Sequence, residues 1–285
     1  MTFLNGCISP AVGHPSTTQQ PASHLLACLS RCLGEPAGEC QRILGANSRY
    51  LEAVERFRHA PQSQACLNRH VASFQFAQKD QLDFLDRHDR RSRLIASYHA
   101  GDFIYGANVY ANHEASAISQ FVLLQHKPGK NCQRNLDLAF GKQQTKQRIP
   151  LQLESFNYLG FRKTLRTRRT SLLIFADLPF GFGRRVSVNF LGHEAYFPAG
   201  PAFMAVTSHI PILPLINYSS AESHSLRLWP LIETARRVDE TLTETVQRVT
   251  QQLVRPLEWL LSEMPEQWRY LPFLPSYFES HLHHD

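Results

Sequence analysis

Apolar residues change their spacing twice along this chain, and each change predicts a different kind of structure. Leu25, Leu26, Leu29 and Leu33 recur on one helical face, and after the turn-like Gly34-Glu35-Pro36 the habit continues through Tyr50, Leu51, Val54 and Phe57. Residues 24–88 therefore read as a helical section. From Arg93 the pattern shortens. Residues 93–98 read as a short buried strand, residues 101–110 as the helix that follows it, and residues 121–125 as another strand before the turn-rich His-Lys-Pro-Gly-Lys-Asn at 126–131. Residues 170–176 form the clearest buried strand, and Asp177 is the first polar residue at its C-terminal end. Beyond it, residues 185–190 alternate as a strand and residues 200–208 read as a helix opened by a glycine-proline turn. Residues 210–216 make a further strand with prolines near its ends, and residues 240–262 an amphipathic helix through Leu242, Val246, Val249, Leu253 and Leu257. This alternation predicts an α/β fold, a mixed but largely parallel central sheet flanked by helices, with a helical N-terminal extension. Residues 1–23, rich in Pro, Ser, Thr and Gln, read as a flexible arm, and residues 24–285 as a single domain.

Composition narrows the function classes. A chain of 285 residues with 43% hydrophobic content buries a sizeable core. The net charge of +6 favours an anionic partner, but charged residues make up only 19% and much of the excess is local. No helix-turn-helix, zinc-finger or aromatic ribonucleoprotein pattern accompanies the charge, so nucleic acid is not an expected partner. Cys7, Cys28, Cys32, Cys40, Cys66 and Cys132 read as free thiols. Cys28, Cys32 and Cys40 lack a double-knuckle zinc spacing, and Cys28 and Cys32 equally suit one helix face, so no metal site is expected. The first residues lack the basic start and long apolar core of a signal peptide, and no run is long enough to cross a bilayer. A cytoplasmic protein is expected, with peripheral contact to the inner membrane left open.

His99, in Ser97-Tyr98-His99-Ala100-Gly101-Asp102, stands where a buried strand delivers an imidazole into a cleft, with Gly101 allowing close approach. Asp177 ends the strongest strand, at the edge where open α/β sheets bind ligands. From Asp177 to Leu215 the chain reads DLPFGFGRRVSVNFLGHEAYFPAGPAFMAVTSHIPILPL, and residues 265–268 read PEQW. An aspartate ending a buried strand, a strand with Phe-x-Gly, a small-residue turn opening a helix, then a strand flanked by prolines occur here in order. The ordered set resembles the bacterial lipid A late acyltransferases, the lauroyl and myristoyl transferases of the lysophospholipid acyltransferase superfamily. The final PEQW is similar to that family's Pro-x-Gln-aromatic segment.

The resemblance implies a glycerolipid acyltransferase-like fold and transfer of an acyl group from an acyl carrier protein or coenzyme A thioester. In the family the acceptor is a hydroxyl of a lipid or glycolipid; this chain departs from it in its Cys- and Pro-rich arm and in lacking the usual membrane-inserting first helix, so the acceptor expected here is a hydroxyl or amine on a small or carrier-bound molecule, with no tightly bound cofactor. The family's histidine is followed five residues later by an acid; His99 stands at the matching place, and the residue five later is Ile104. His99 would be the general base, with a carboxylate on its other nitrogen fixing the tautomer. Asp102 suits that part if it shares the helix start with His99. Glu114 is an alternative, as is no carboxylate at all; Asp102 would equally serve as a cap for the following helix. Asp177 is expected to organise loops near the site, and Arg148 takes a supporting role by the resemblance. Arg162, Lys163, Arg166, Arg168 and Arg169 read either as a solvated face or as a dock for an acidic carrier protein, a phosphopantetheine phosphate or lipid headgroups. Gly200, in the turn Phe197-Pro198-Ala199-Gly200-Pro201, opens a helix whose amides suit an anion. Phe180, Phe182, Phe190 and Tyr196 read equally as acyl groove or ordinary core. A thioesterase on the same site, or a non-catalytic binder of carrier protein or lipid, remain as other readings; no Gly-x-Ser-x-Gly elbow supports a covalent serine mechanism.

Overall fold

The computed structural model describes residues 22–78, 80, 91–113, 129–141, 162–163, 165–166, 170–179, 184–220 and 223–279, and the backbone path of 120–125 and 147–152. In chain order it contains α1 (Ala22–Leu33), α2 (Ala37–His59), α3 (Gln64–Ala72), β1 (Phe74–Phe76), β2 (Arg93–Ser97), α4 (Phe103–His113), β3 (Gln120–Gln125), α5 (Lys130–Phe140) and β4 (Gln147–Gln152). There follow β5 (Thr170–Phe175), β6 (Arg185–Phe190), β7 (His193–Pro198), α6 (Gly200–Ser208), β8 (Ile212–Ser219), β9 (His224–Leu228), α7 (Leu242–Leu253), α8 (Arg255–Glu263) and two 3-10 turns, Pro265–Gln267 and Leu271–Tyr277.

β2 and β5 are buried along nearly their whole length, which requires cover on both faces of the sheet. Alternate side chains divide accordingly. Leu94, Ala96, Leu172, Ile174, Ile212 and Ile216 face one layer, built from α1, the β6–β7 hairpin, α6, α7, α8 and the segment through Tyr277. Ile95, Leu173, Leu213 and Leu215 face the other, built from α3, α4 and α5. The sheet order is β1-β9-β8-β2-β5-β3-β4. β8, β2, β5, β3 and β4 run parallel, while β9 is antiparallel to β8 and parallel to β1. The expected mixed, largely parallel sheet flanked by helices is what forms.

The differences from expectation are local. The N-terminal helical run is interrupted after Ala72, because the next residues add β1 to the sheet edge beside β9; Asp80 is helical again, and residues 79 and 81–88 of the expected helical section lie outside the described residues. Of the turn-rich stretch expected at 126–131, residues 126–128 lie outside the described residues, and Lys130 and Asn131 already belong to α5. The amphipathic helix expected over 240–262 is two helices, α7 and α8, divided at Val254 with a proline in the first turn of the second. The strand expected at 210–216 starts at Ile212 and reaches Ser219. Phe190-Leu191-Gly192 is the end of β6 and its two-residue turn into β7, with φ of 52° and 79° at Leu191 and Gly192, the turn geometry that matches strand twist. Among the described residues no helix is long and apolar enough to cross a membrane, no group of three His, Cys, Asp or Glu could hold a metal, and Cys28, Cys32, Cys40, Cys66 and Cys132 are free thiols.

Candidate active site

Parallel pairing of β2 with β5 sets Ser97 level with Phe175. Two residues further along each strand come His99 and Asp177, at the carboxyl edge of the sheet where open α/β folds bind ligands. They meet there. His99 Nδ1 lies 2.8 Å from Asp177 Oδ1, and the His99 backbone N–H donates to Asp177 Oδ2 at 2.8 Å. The Trp268 indole N–H donates to the same Oδ2 at 2.9 Å, so three N–H groups converge on one carboxylate with no exposed surface. The Tyr277 hydroxyl donates to the Asp177 carbonyl at 2.7 Å. A buried carboxylate is tolerated on such terms, because each oxygen is supplied with a donor.

Because a carboxylate only accepts, the proton of the neutral imidazole sits on Nδ1 and the lone pair on Nε2. Among the described residues nothing bonds to Nε2. The ring is 12% exposed and boxed by Phe175, Phe103 and Tyr270, with centroids at 4.3, 4.7 and 4.9 Å. Burial, and after it the Asp177 charge, push the Tyr98, Tyr270 and Tyr277 phenols up, which keeps these neighbours neutral.

The loop carrying His99 is shaped by Gly101, at φ +58°, where a Cβ would lie 2.9 Å from the Asn217 carbonyl oxygen. Beyond the strand, the chain pairs with the PEQW segment. The His99 carbonyl accepts from the Arg269 N–H at 2.8 Å, the Gly101 N–H donates to the Gln267 carbonyl at 3.2 Å, and Ala100 bridges Trp268. The Gln267 side chain exchanges bonds with the Ser219 backbone at the end of β8, at 2.7 and 2.6 Å. Asn47 of α2 donates to the carbonyls of Glu266 and Trp268, both at 2.8 Å.

Asp102 does not pair with His99. The helix starts at Phe103, so the two residues share no helical face, and the positive φ at Gly101 turns the chain between them. Its Oδ1 accepts from Arg58 Nε at 2.9 Å and its Oδ2 lies 3.0 Å from His70 Nε2, so it does not cap α4 by its side chain either. Burial alone would raise this carboxyl, but Arg58 and His70 outweigh it and hold it at about 2. Ile104, at the place of the family's acid, packs against the second core cluster. Glu114, Arg168, Arg169, Phe180 and Phe182 lie outside the described residues.

Arg148 is in β4, level with Phe121 of β3 and so with Ser171 of β5. That is two strands across and six residues, about 20 Å, short of Asp177 along the sheet; the register leaves Arg148 away from the His99 edge. Arg162 Nε and Arg166 Nη2 both donate to the Thr207 carbonyl, at 2.9 and 2.8 Å, and so satisfy the C-terminal turn of α6. Lys163 is exposed beside them, and Gly200 opens the other end of that helix, also exposed. Phe190 is buried against Phe197, a core contact.

Trp268, Tyr270 and Tyr277 are the site residues that sequence reasoning missed. PEQW marked the place of Trp268 but not its task, since an indole N–H needs a buried acceptor and none was assigned to it. Glu55, Arg58 and His70 gave no signal at all.

No curated protein matches the chain. Residues 157–272, under half of the chain, match the family model of the bacterial lipid A biosynthesis acyltransferases. The matched stretch takes in Asp177 and Trp268 and leaves out His99, so in this chain a partial likeness to the bacterial lipid A biosynthesis acyltransferases supplies two of the three groups on which the site is built.

Proposed function

We propose that the chain is an acyltransferase that moves an acyl group from a carrier-protein or coenzyme A thioester to a hydroxyl or amine, with His99 as general base and Asp177 as its partner. The observation that carries this reading is the Nδ1–Asp177 bond at 2.8 Å, which leaves Nε2 as an acceptor at the sheet's carboxyl edge. The acceptor O–H or N–H gives its proton to Nε2 as its heteroatom attacks the thioester carbonyl. Asp177, fixed by Trp268, steadies the imidazolium so formed. When the tetrahedral intermediate collapses, the C–S bond breaks and the departing thiolate takes the proton back from Nε2. Asp177 thus does the work of the acid that Ile104 replaces, from a neighbouring strand instead of the following helix. Phe103, Phe175 and Tyr270 keep the surroundings apolar, which strengthens these electrostatic contacts.

Acyl carrier protein is the proposed partner, with Arg162, Lys163 and Arg166, continued by Arg168 and Arg169, as its dock; the donor thioesters place the reaction in the cytoplasm. The test is incubation with carrier-protein and coenzyme A thioesters of varied chain length, with and without hydroxyl and amine acceptors. Product that depends on the acceptor, and is lost in His99→Ala, supports the transferase. Equal thioester cleavage without acceptor points to hydrolysis instead. Full activity in His99→Ala overturns the assignment.

A further inference from the structure

With Asp177 serving His99, the buried Asp102 is left without a part in proton transfer, yet it sits 2% exposed against an Arg58 that is 1% exposed. Burying two charges is costly and does not by itself favour the fold. What the pair does is close a circuit around His99. Asp102 Oδ1 takes Arg58 Nε at 2.9 Å, and Arg58 Nη1 donates to Glu55 Oε1 at 3.1 Å. Glu55 Oε1 also takes Arg269 Nη1, and the Arg269 backbone N–H donates to the His99 carbonyl at 2.8 Å. Two residues of loop, Ala100 and Gly101, then return from His99 to Asp102. Glu55 and Arg58, three apart on one face of α2, are the two posts of this frame.

The frame also touches the ring. The Arg58 guanidinium lies 4.2 Å over the Phe103 ring, and Phe103 stands edge-on to His99 at 4.7 Å. On the remaining side, His70 holds the second oxygen of Asp102 at 3.0 Å from α3. We propose that Arg58 and Asp102 are positioning residues that fix the place of the His99 loop and ring from helices α2 and α3. This rests on the reading of His99 as the general base. Charge-assisted bonds set direction as well as distance, which an apolar contact does not. A shift of about 1 Å in a reacting group can cost about 100-fold in rate. The helical N-terminal section is on this account part of the site.

The test uses the full chain and two readouts. One is the Nδ1 proton of His99 in imidazole NMR spectra, assigned by its loss in His99→Gln; the other is kcat against KM for acyl transfer. Replacing both partners, Arg58→Met with Asp102→Asn, avoids leaving a lone buried charge. In this double variant a cooperative melting transition at a lowered temperature is expected, with the Nδ1 proton broadened by exchange with water. The kcat should fall about 100-fold, with KM within about threefold. Arg58→Lys alone should recover about tenfold in kcat over Arg58→Met. If the double variant does not fold, Phe103→Leu decides, since it leaves the charges in place and removes the ring between Arg58 and His99. It should broaden the same proton and lower kcat about tenfold. A folded double variant, or Phe103→Leu, with a sharp Nδ1 proton and unchanged kcat overturns the proposal. Should the wild type transfer no acyl group, the NMR readout still decides positioning, and only the catalytic reading of His99 falls.

Discussion

Asp177→Asn is the most informative single change, because the side chain keeps its shape while its hydrogen-bond pattern reverses at one atom. Oδ2 receives two N–H groups, from the His99 backbone and Trp268, and Oδ1 faces His99 Nδ1. An asparagine oxygen can satisfy the first two only if its NH2 takes the Oδ1 position. Two donors would then face each other, and His99 must move its proton to Nε2, the atom that should accept one. The opposite amide rotamer sets NH2 against two N–H groups and is worse. In Ser-His-Asp enzymes this loss of the correct tautomer lowers turnover about 10⁴-fold, which corresponds to about 5 kcal/mol of barrier. Stability should change less, by the about 1.5–3 kcal/mol of one hydrogen bond to a charged group. The variant is therefore expected to be folded at room temperature, with kcat down about 10³- to 10⁴-fold and KM for the thioester little changed. With six cysteines in the chain, acylated acceptor measured by mass spectrometry is a better readout than released thiol. A folded Asp177→Asn variant retaining turnover within about tenfold of wild type, beside an inactive His99→Ala, would refute the tautomer argument.

Trp268→Phe keeps an aromatic ring, though a smaller one, and removes one donor from Asp177 Oδ2; unfolding by urea should show a loss of at least about 1.5–3 kcal/mol, and turnover should drop about tenfold. No change in either would remove Trp268 from the site. Gly101→Ala combines a left-handed φ of +58° with a Cβ only 2.9 Å from the Asn217 carbonyl oxygen. A destabilisation above about 2 kcal/mol is expected, and an unaltered melting temperature would contradict the described loop. Stability should also decline in two stages on acidification. His224 is lowered from 6.5, first by burial and then by His70, so the unfolded chain gains a proton here before the folded one does as pH falls below that value. Asp102, at about 2 against 3.8 for an unperturbed carboxyl, acts with the same sign lower down. Its contribution, about 2 kcal/mol, is complete above about pH 4 and lost as pH falls toward 2. Urea unfolding near pH 7, 5 and 3 reads both stages; His224→Gln should flatten the first, and stability rising from pH 7 to 5 would overturn the account.

The elements that position the site were legible because their burial is two-sided. A strand such as Leu172-Leu173-Ile174 has to be covered on both faces, and its sequence says so. The site's wiring was less so. His99 and Asp177 were each visible as strand-end residues, but their contact depends on the register of β2 with β5, a long-range quantity that no local pattern carries. Asp102 was the natural partner by spacing, and spacing misled because a positive φ at Gly101 separates it from His99. β1 and β9 lie at one end of the sheet, and α5 follows Pro128-Gly129 in the sequence, a composition that favours a loop reading. Glu55 and Arg58 look like any charged i,i+3 pair of a solvated helix; only packing shows Arg58 buried.

The segment from Gln267 to Tyr277 has a further consequence for how the protein comes into being. Trp268 reaches Asp177 across 91 residues of sequence and Asn47 reaches Trp268 across 221. Contacts this distant form late in folding, since loop closure precedes their reward. A chain growing from the ribosome could complete β2, β5 and β8 and still present Asp177 without its indole donor. Competence would then arrive in one step, when residues 267–277 dock, and a nascent or nicked form lacking them would hold His99 and Asp177 without the indole donor that fixes the pair.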